Sequence, residues 1–431
     1  MLELNWSDVI STLTQIKWYL IAIGIIIGVA IIAMIACLKL VKTKKYIIRT
    51  QAFVAMVVGV TIVVNLICTG PLYTLLSLAS GTGVLTEESI TTAEKLAQEI
   101  AEEGIVLLKN ENRALPLSDN KNLNVFGWAS TNPCYGGTGS GALNDNYHIV
   151  NLLEGLSNAG FKTNTELSDF YKSYREDRPV IGMFDQDWTL PEPPVSDYSD
   201  SLIEDAKEFS PNAVVVLTRA GGEQTDLPRD VSSVTYTNNS EDYEDFPEGT
   251  HYLEPSQSEK DMIDLVCRNF DNVILVYNGA NTMELNVADQ YDQIKSVIWC
   301  PGTGQNGFNA LGEILSGDIN PSAKTADTFV KDLTVAPSWN NFGDFQYDNM
   351  DEFKISDSDP YVPGTVPHFV NYTEGIYVGY KFYETASREG LFDYNDAVQY
   401  PFGYGLSYTT FEQKMDQLKQ MKMEISVSML M

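Results

Sequence analysis

Histidine is nearly absent from this 431-residue chain, and His148, His251 and His368 stand far apart. That scatter leaves no group with metal-ligand spacing. Cysteine is as sparse. Of five, Cys37 and Cys68 fall in apolar runs, and Cys134, Cys267 and Cys300 are widely separated with no CxxC pair. Neither a disulfide framework nor a zinc site is written in that pattern, and no metal or cofactor is expected. Positive charge is scarce too, with 28 Lys and Arg against 58 Asp and Glu and a net charge of −30. Such a surface repels nucleic acid and anionic headgroups, so no nucleic-acid partner is expected. It suits neutral or cationic molecules, although solubility alone would also account for it.

What the chain does have is two long uncharged stretches near its start. Residues 18–38 carry no charge for 21 positions, and residues 52–76 carry none for 25. A helix needs about 20 apolar residues to cross the hydrocarbon core, so each run can span. The connector between them holds Lys39, Lys42, Lys44, Lys45 and Arg49, and Glu3 and Asp8 precede them. The bias of positive loops toward the cytoplasm predicts a hairpin anchored in the cell membrane from residue 18 to 76. The protein is then multi-pass, with everything after residue 80 extracytoplasmic. A cleaved signal peptide fits less well, because the first run is too long and its positive charges follow it. The Gly24–Gly28 spacing can pair helices closely, and Asn65 can bond across to the first helix or stand as a tolerated single amide. Six of the 28 basic and two of the 58 acidic residues lie in the first 80, so the remainder carries −34.

Residues 85–103 read as an amphipathic linker helix, with Thr86 as N-cap before Glu87 and Glu88. Beyond it, β-branched runs alternate with helical stretches. The strands expected are 124–128, 213–218, 272–277 and 295–300. The helices expected are 149–158, 198–209, 257–270 and 305–316, and Met262, Ile263, Val266 and Phe270 share one stripe of the third. Alternation of this kind predicts an α/β fold with a doubly wound, largely parallel sheet over about residues 104–340. Residues 341–400 read as a connection rich in Asp, Pro, Ser, Asn and Tyr. Within and after it, 376–383 and 396–411 read as strands and turns.

In such a sheet, ligands bind outside the carboxyl ends of the strands. Three loops leave strand ends there. The first, 129–141, holds Gly137, Thr138, Gly139 and Ser140. Its glycines allow close backbone approach and its hydroxyls can meet a sugar, or it is a flexible turn. It is not a dinucleotide fingerprint, which must open a helix at once; that weakens a nucleotide-binding reading. The second, 218–230, holds a Gly-Gly pair followed by Glu223, with Asp226, Arg229 and Asp230 able to pair nearby. A carboxyl beside small residues at a strand end is suited to acid/base work, though an exposed Glu after a turn is commonly just solvated. The third, 300–310, runs through glycines into a helix N-terminus with free N–H groups. Gln305 and Asn306 there can contact a ligand or serve capping and packing. Cys134 and Cys300 both fall at strand ends and can approach each other.

Several stretches together resemble glycoside hydrolase family 3, the β-glucosidase and β-xylosidase family, in its second, α/β-sandwich domain. They are AEEGIVLLKNENRALPL (101–117), the GGTGSG loop, RAGGEQTD (219–226), YLEPSQSEKDMI (252–263), VILVYNGANTMEL (273–285), the 298–324 segment, YTEGIYVGYKFYET (372–385) and YPFGYGLSYTTFE (400–412). They follow the family's order over nearly all of 100–412. The resemblance implies a retaining mechanism on a carbohydrate substrate, with Glu223 as acid/base and an Asp nucleophile from a separate (β/α)8 barrel. It also implies that residues 401–431 open a fibronectin type III-like domain. The Asp187–Trp188 pair resembles the nucleophile motif, but it lies among sandwich elements and not on a barrel strand. Gln224 stands where the family usually has Gly, and Ala323 where it often has Gly.

With an anchor at the N-terminus, the resemblance implies the reversed domain order, in which the barrel follows the sandwich; the chain stops before it. The reading is therefore a membrane-anchored β-glycosidase-type protein whose barrel partner lies outside this sequence and which is inactive alone. The alternative is a non-catalytic, membrane-anchored module that binds glycan or a partner chain.

Overall fold

The computed structural model describes residues 6–73, 76, 86–118, 120–137, 141–143, 148–174, 190–223, 227–233, 248–339, 341, 345–359, 364–410 and 412. The chain divides into two units. Residues 1–86 with 344–370 form one, and residues 87–343 with 371–431 form the other.

In the first unit, helix α1 spans Trp6–Ala36 and α2 spans Lys42–Thr69. Both are long and apolar enough to cross a membrane. α2 closes at Thr69, ahead of Gly70 and Pro71, where proline offers no N–H to continue the ladder; beyond that break the chain is helical again at Tyr73 and Leu76. The two helices do not meet through Gly24 and Gly28, which have open space where a Cβ would stand; Gly59 instead lies against the Ile26 side chain. Asn65 makes no side-chain bond to α1 among the described residues; its carbonyl accepts from Thr69 Oγ1 at 2.8 Å. In the 344–370 segment, Phe345 and Phe369 form a bridge, and Tyr347 stacks on Phe369 at 4.4 Å.

The second unit opens with α3 (Glu87–Glu102), followed by β1 (Val106–Asn110), β2 (Asn122–Phe126), α4 (Leu152–Asn158), β3 (Lys162–Thr163) and α5 (Thr165–Ser173). Next come α6 (Asp200–Phe209), β4 (Asn212–Arg219), α7 (Gln257–Asn269), β5 (Asn272–Gly279), β6 (Ile294–Cys300) and α8 (Phe308–Ser316). Six strands form one sheet in the order β1-β6-β5-β4-β2-β3. Every neighbouring pair is parallel except β1 against β6. The core strands read as near-continuous apolar runs because both faces are covered. Alternation along β4 divides them: Ala213, Val215 and Leu217 enter the layer shared with α5, α6 and α7. Val214 and Val216 enter the layer shared with α4 and α8. The doubly wound, largely parallel expectation is met, with one antiparallel edge added.

Helix starts follow side-chain caps. Ser256 and Glu259 close a capping box on α7, and Ser199 caps α6. Asn164 caps α5 by accepting from Glu166 N and Leu167 N.

One expectation is overturned. The segment 376–383 was expected as strand and turn, but Tyr380–Arg388 is a helix, α9. Burial of Tyr383 and Ala386, three residues apart, rewards helical spacing over the β preference of the tyrosines. The chain then passes through a short helical turn (Tyr394–Ala397) into β8 (Val398–Tyr400), which pairs antiparallel with β7 (Phe329–Val330). Leu406 N donates to Leu107 O at 2.8 Å. Of the segment 401–431, only residues 401–410 and 412 are described.

Candidate functional site

The three loops leave the carboxyl ends of β2, β4 and β6, with the end of β5 between the last two. They converge there on one buried side chain, Asn278. Its Oδ1 accepts from Cys134 N at 2.6 Å, and its Nδ2 donates to Cys134 O at 3.0 Å and Cys300 O at 3.1 Å. Thr218 Oγ1 lies 2.9 Å from Asn278 O and 3.2 Å from Oδ1. The roots of all three loops therefore meet at one amide.

Close backbone approach completes the assembly. A Cβ on Gly137 would collide with Gly221 O, so the first loop lies directly on the Gly-Gly pair ahead of Glu223. Gly304 N donates to Tyr135 O at 2.6 Å, which joins the third loop to the first. Glu223 follows on a turn and is exposed to solvent. The site residues expected from sequence are thus brought together as far as they are described: Gly137 reaches the loop of Glu223. Thr138, Gly139 and Ser140 lie outside the described residues, as do Gln224, Asp226 and the Asp187–Trp188 pair. Arg229 donates to Trp339 O at 2.8 Å, and Asp230 accepts from Ser232.

The second loop is rooted by Arg219, whose five N–H groups are all occupied. Nε donates to Tyr252 O at 2.6 Å, and Nη1 to Thr218 O at 2.7 Å and Glu259 Oε1 at 2.8 Å. Nη2 donates to Glu254 O and Glu259 Oε2, both at 2.7 Å. Burial opposes the charge, yet the Glu259 carboxylate more than offsets it and holds the guanidinium above its ordinary pKa. The strand end that launches Glu223 is therefore tied to the start of α7 by a planar, bidentate pair.

Beside this pair lies a crevice of about 40 Å³, lined by Trp128, Cys134, Glu192, Thr218, Ala220 and Tyr252 among others. A space of that size is on the scale of a water molecule rather than a sugar ring. Sequence reasoning missed Glu192. It is 7% exposed, accepting from Trp128 N at 2.7 Å and from Tyr198 Oη at 2.6 Å. Tyr171 Oη is 2.7 Å from Tyr198 Oη. Burial, then the Glu192 charge, pushes both phenols well above their usual pKa, so they stay protonated and donate. Glu192 thereby fixes the start of the first loop at Trp128. Its only sequence signal was a carboxylate between prolines, which by itself points nowhere.

Cys134 and Cys300 do come together at Asn278, but as free thiols. Burial pushes the Cys134 thiol up to about 11 and the Cys300 thiol higher still. A thiolate nucleophile is disfavoured at both. His148 sits 2.9 Å from Glu154, and His251 3.1 Å from Glu284, each a separate pair.

The fold and crevice define a doubly wound α/β sandwich that gathers its glycine-rich and carboxylate-bearing loops at one end of the sheet. The model of the glycosyl hydrolase family 3 C-terminal domain matches residues 105–380. The chain belongs to that family. Beta-glucosidase A of Butyrivibrio fibrisolvens is 32% identical over 336 residues, covering 75% of this chain and 36% of that protein. A beta-glucosidase of Ruminococcus albus is 29% identical, over 73% of this chain and 28% of its own length. Among solved structures, a beta-glucosidase from Paenibacillus barengoltzii superposes with a TM-score of 0.57 at 30% identity, over 76% of this chain and 30% of that one. Beta-glucosidase 3B from Thermotoga neapolitana, in complex with glucose, gives 0.56 at 30% identity, over 75% and 39%. The chain spans about a third of the length of the curated relatives it matches.

Proposed function

We propose that this chain supplies the acid/base half of a retaining β-glycosidase site, with β-glucosides or related β-glycosides as substrates. Glu223 protonates the leaving oxygen and then activates water. The 137–140 loop contacts the sugar. The nucleophile comes from a (β/α)8 barrel domain outside this sequence, about 5 Å across the glycosidic bond as retention requires. The carrying observation is the packing of Gly137 on Gly221, which sets the glycine-rich loop beside the loop of Glu223. Family membership and relatives named beta-glucosidase support the same reading. The hairpin α1–α2 serves as a membrane anchor and holds the sandwich on the extracytoplasmic face; its apolar length and basic connector support this.

The test is replacement of the matched segment of the Butyrivibrio fibrisolvens relative by residues 105–410 of this chain. The replaced enzyme is expected to hydrolyse an aryl β-glucoside. Glu223→Ala should slow it by about 10²–10⁴-fold, as loss of general acid–base catalysis does, and added azide should restore turnover of a substrate with a good leaving group. The 431-residue chain alone should show none. Steady hydrolysis by the chain alone, abolished by Glu223→Gln, would overturn the division between domains. An unchanged rate in Glu223→Ala would favour a non-catalytic, membrane-anchored module that binds glycan or a partner.

A further inference from the structure

The role given to Glu223 says nothing of what holds three separate loops in register. Each springs from a different strand, and loops rooted on separate strands move independently unless something ties them. We infer that Asn278 is the positioning residue of this site: its single buried amide sets the glycine-rich loop against the loop that carries Glu223. The inference deepens the reading of Glu223 and rests on it only for the word "site"; the geometry stands by itself.

Asn278 is the penultimate residue of β5, which lies between β4 and β6, and it is fully buried. A side-chain amide offers two donors on nitrogen and two lone pairs on oxygen. Both donors are used, on Cys134 O and Cys300 O. One lone pair takes Cys134 N. The Thr218 hydroxyl has one proton to share between the second lone pair and the Asn278 carbonyl. Cys134 is therefore gripped at both its N–H and its C=O, as a neighbouring strand would grip it, at a point where no strand continues. Three residues further on, Gly137 meets Gly221, and two residues after that stands Glu223. The chain of contact runs from Asn278 through Cys134 and Gly137 to the turn of Glu223.

No other side chain of this size sets two donors beside an acceptor. Aspartate would lose both donors and place a charge in a sealed site. Leucine would orphan Cys134 N, Cys134 O and Cys300 O together, each a buried backbone group. Thr218→Val removes only the shared hydroxyl and is the gentler perturbation.

The experiment uses the full chain in detergent micelles with two mass-spectrometric readouts. The first is alkylation of Cys134 by iodoacetamide, with Cys267, buried on α7, as the reference for general opening. The second is hydrogen–deuterium exchange of the backbone at residues 219–223, which carries Glu223, with α6 as the reference. Asn278→Leu is expected to raise Cys134 alkylation at least tenfold over Cys267 and to quicken exchange at 219–223 while α6 stays as protected as in the parent. Thr218→Val should raise Cys134 alkylation two- to threefold. Equal rises at Cys134 and Cys267 in both variants would overturn the inference, since they report loss of stability alone. So would exchange at 219–223 that does not quicken. Glu223→Gln should leave Cys134 protected. If the loops respond as expected but Glu223→Ala is without effect in the replaced enzyme, the positioning role stands and the acid/base reading falls.

Discussion

Replacing Arg219 by methionine separates the two contributions of the buried ion pair. In the native chain the Arg219 and Glu259 side chains are 1% and 6% exposed, with Nη2 2.7 Å from Oε2. The substitution removes five hydrogen bonds at once. Among the described residues Glu259 keeps only its bond from Ser256 N at 2.8 Å, and the carbonyls of Thr218, Tyr252 and Glu254 lose a donor. Breaking a buried pair by removing one partner costs about 3–5 kcal/mol, chiefly through the charge left behind. Glu259→Met should cost a similar amount by stranding the guanidinium. The double variant should recover much of the loss, because no charge remains buried and the flexible thioethers fill the space. The coupling energy of the cycle is then large and of the sign that marks a pair. Urea unfolding followed by tryptophan fluorescence reads this directly, since Trp128 and Trp299 are both buried in the sandwich. A loss below about 1 kcal/mol for Arg219→Met, in the range of an exposed pair, would refute the argument. So would a double variant as unstable as the sum of the singles.

Three further outcomes are expected. Burial, and then the Glu102 charge, holds the Glu313 carboxyl above its usual pKa. Its folded form binds a proton more tightly than its unfolded form, so this group's contribution falls as pH rises from the ordinary carboxylate range through the raised value. Glu313→Gln should therefore be more stable than the parent near neutral pH, with the difference vanishing below the ordinary range; thermal melts across pH check it, and a constant difference would contradict it. Gly137→Ala places a methyl against the backbone of Gly221; overpacking of this kind costs about 1–3 kcal/mol, and hydrogen exchange should quicken at Gly304 N, which leans on Tyr135. Asn164→Ala removes the α5 cap and also the bond from its Nδ2 to Asn124 Oδ1 at 3.0 Å. Denaturation should show a loss of about 1–2 kcal/mol, at the upper end for an N-cap.

Much of the fold is legible in the sequence. The strands β4, β5 and β6 announce themselves because a strand covered on both faces must be apolar at every position. The helices α6 and α7 carry their caps in the residues just before them. The loops of Gly137 and Glu223 stand out because each carries a pair of glycines after a strand, and the second pair is followed by a carboxyl. Less was visible where local preference and packing disagree. Residues 380–388 are rich in the β-favouring tyrosine, yet helical spacing buries Tyr383 and Ala386. β1 is not among the strands expected from sequence, and its direction is set only by its partner β6.

The amino-acid sequence by itself determined the apolar hairpin, the alternation of strand and helix, and the residues able to do chemistry at strand ends. Tertiary structure alone decided which of those residues meet. Asn278 lies 144 positions from Cys134 and 60 from Thr218, and Glu192 lies 64 from Trp128. An asparagine in a strand or a glutamate between prolines has no local mark of such a role. Its hydrogen-bonding groups acquire their partners only when the sheet brings distant strand ends side by side and burial obliges every polar group there to find one.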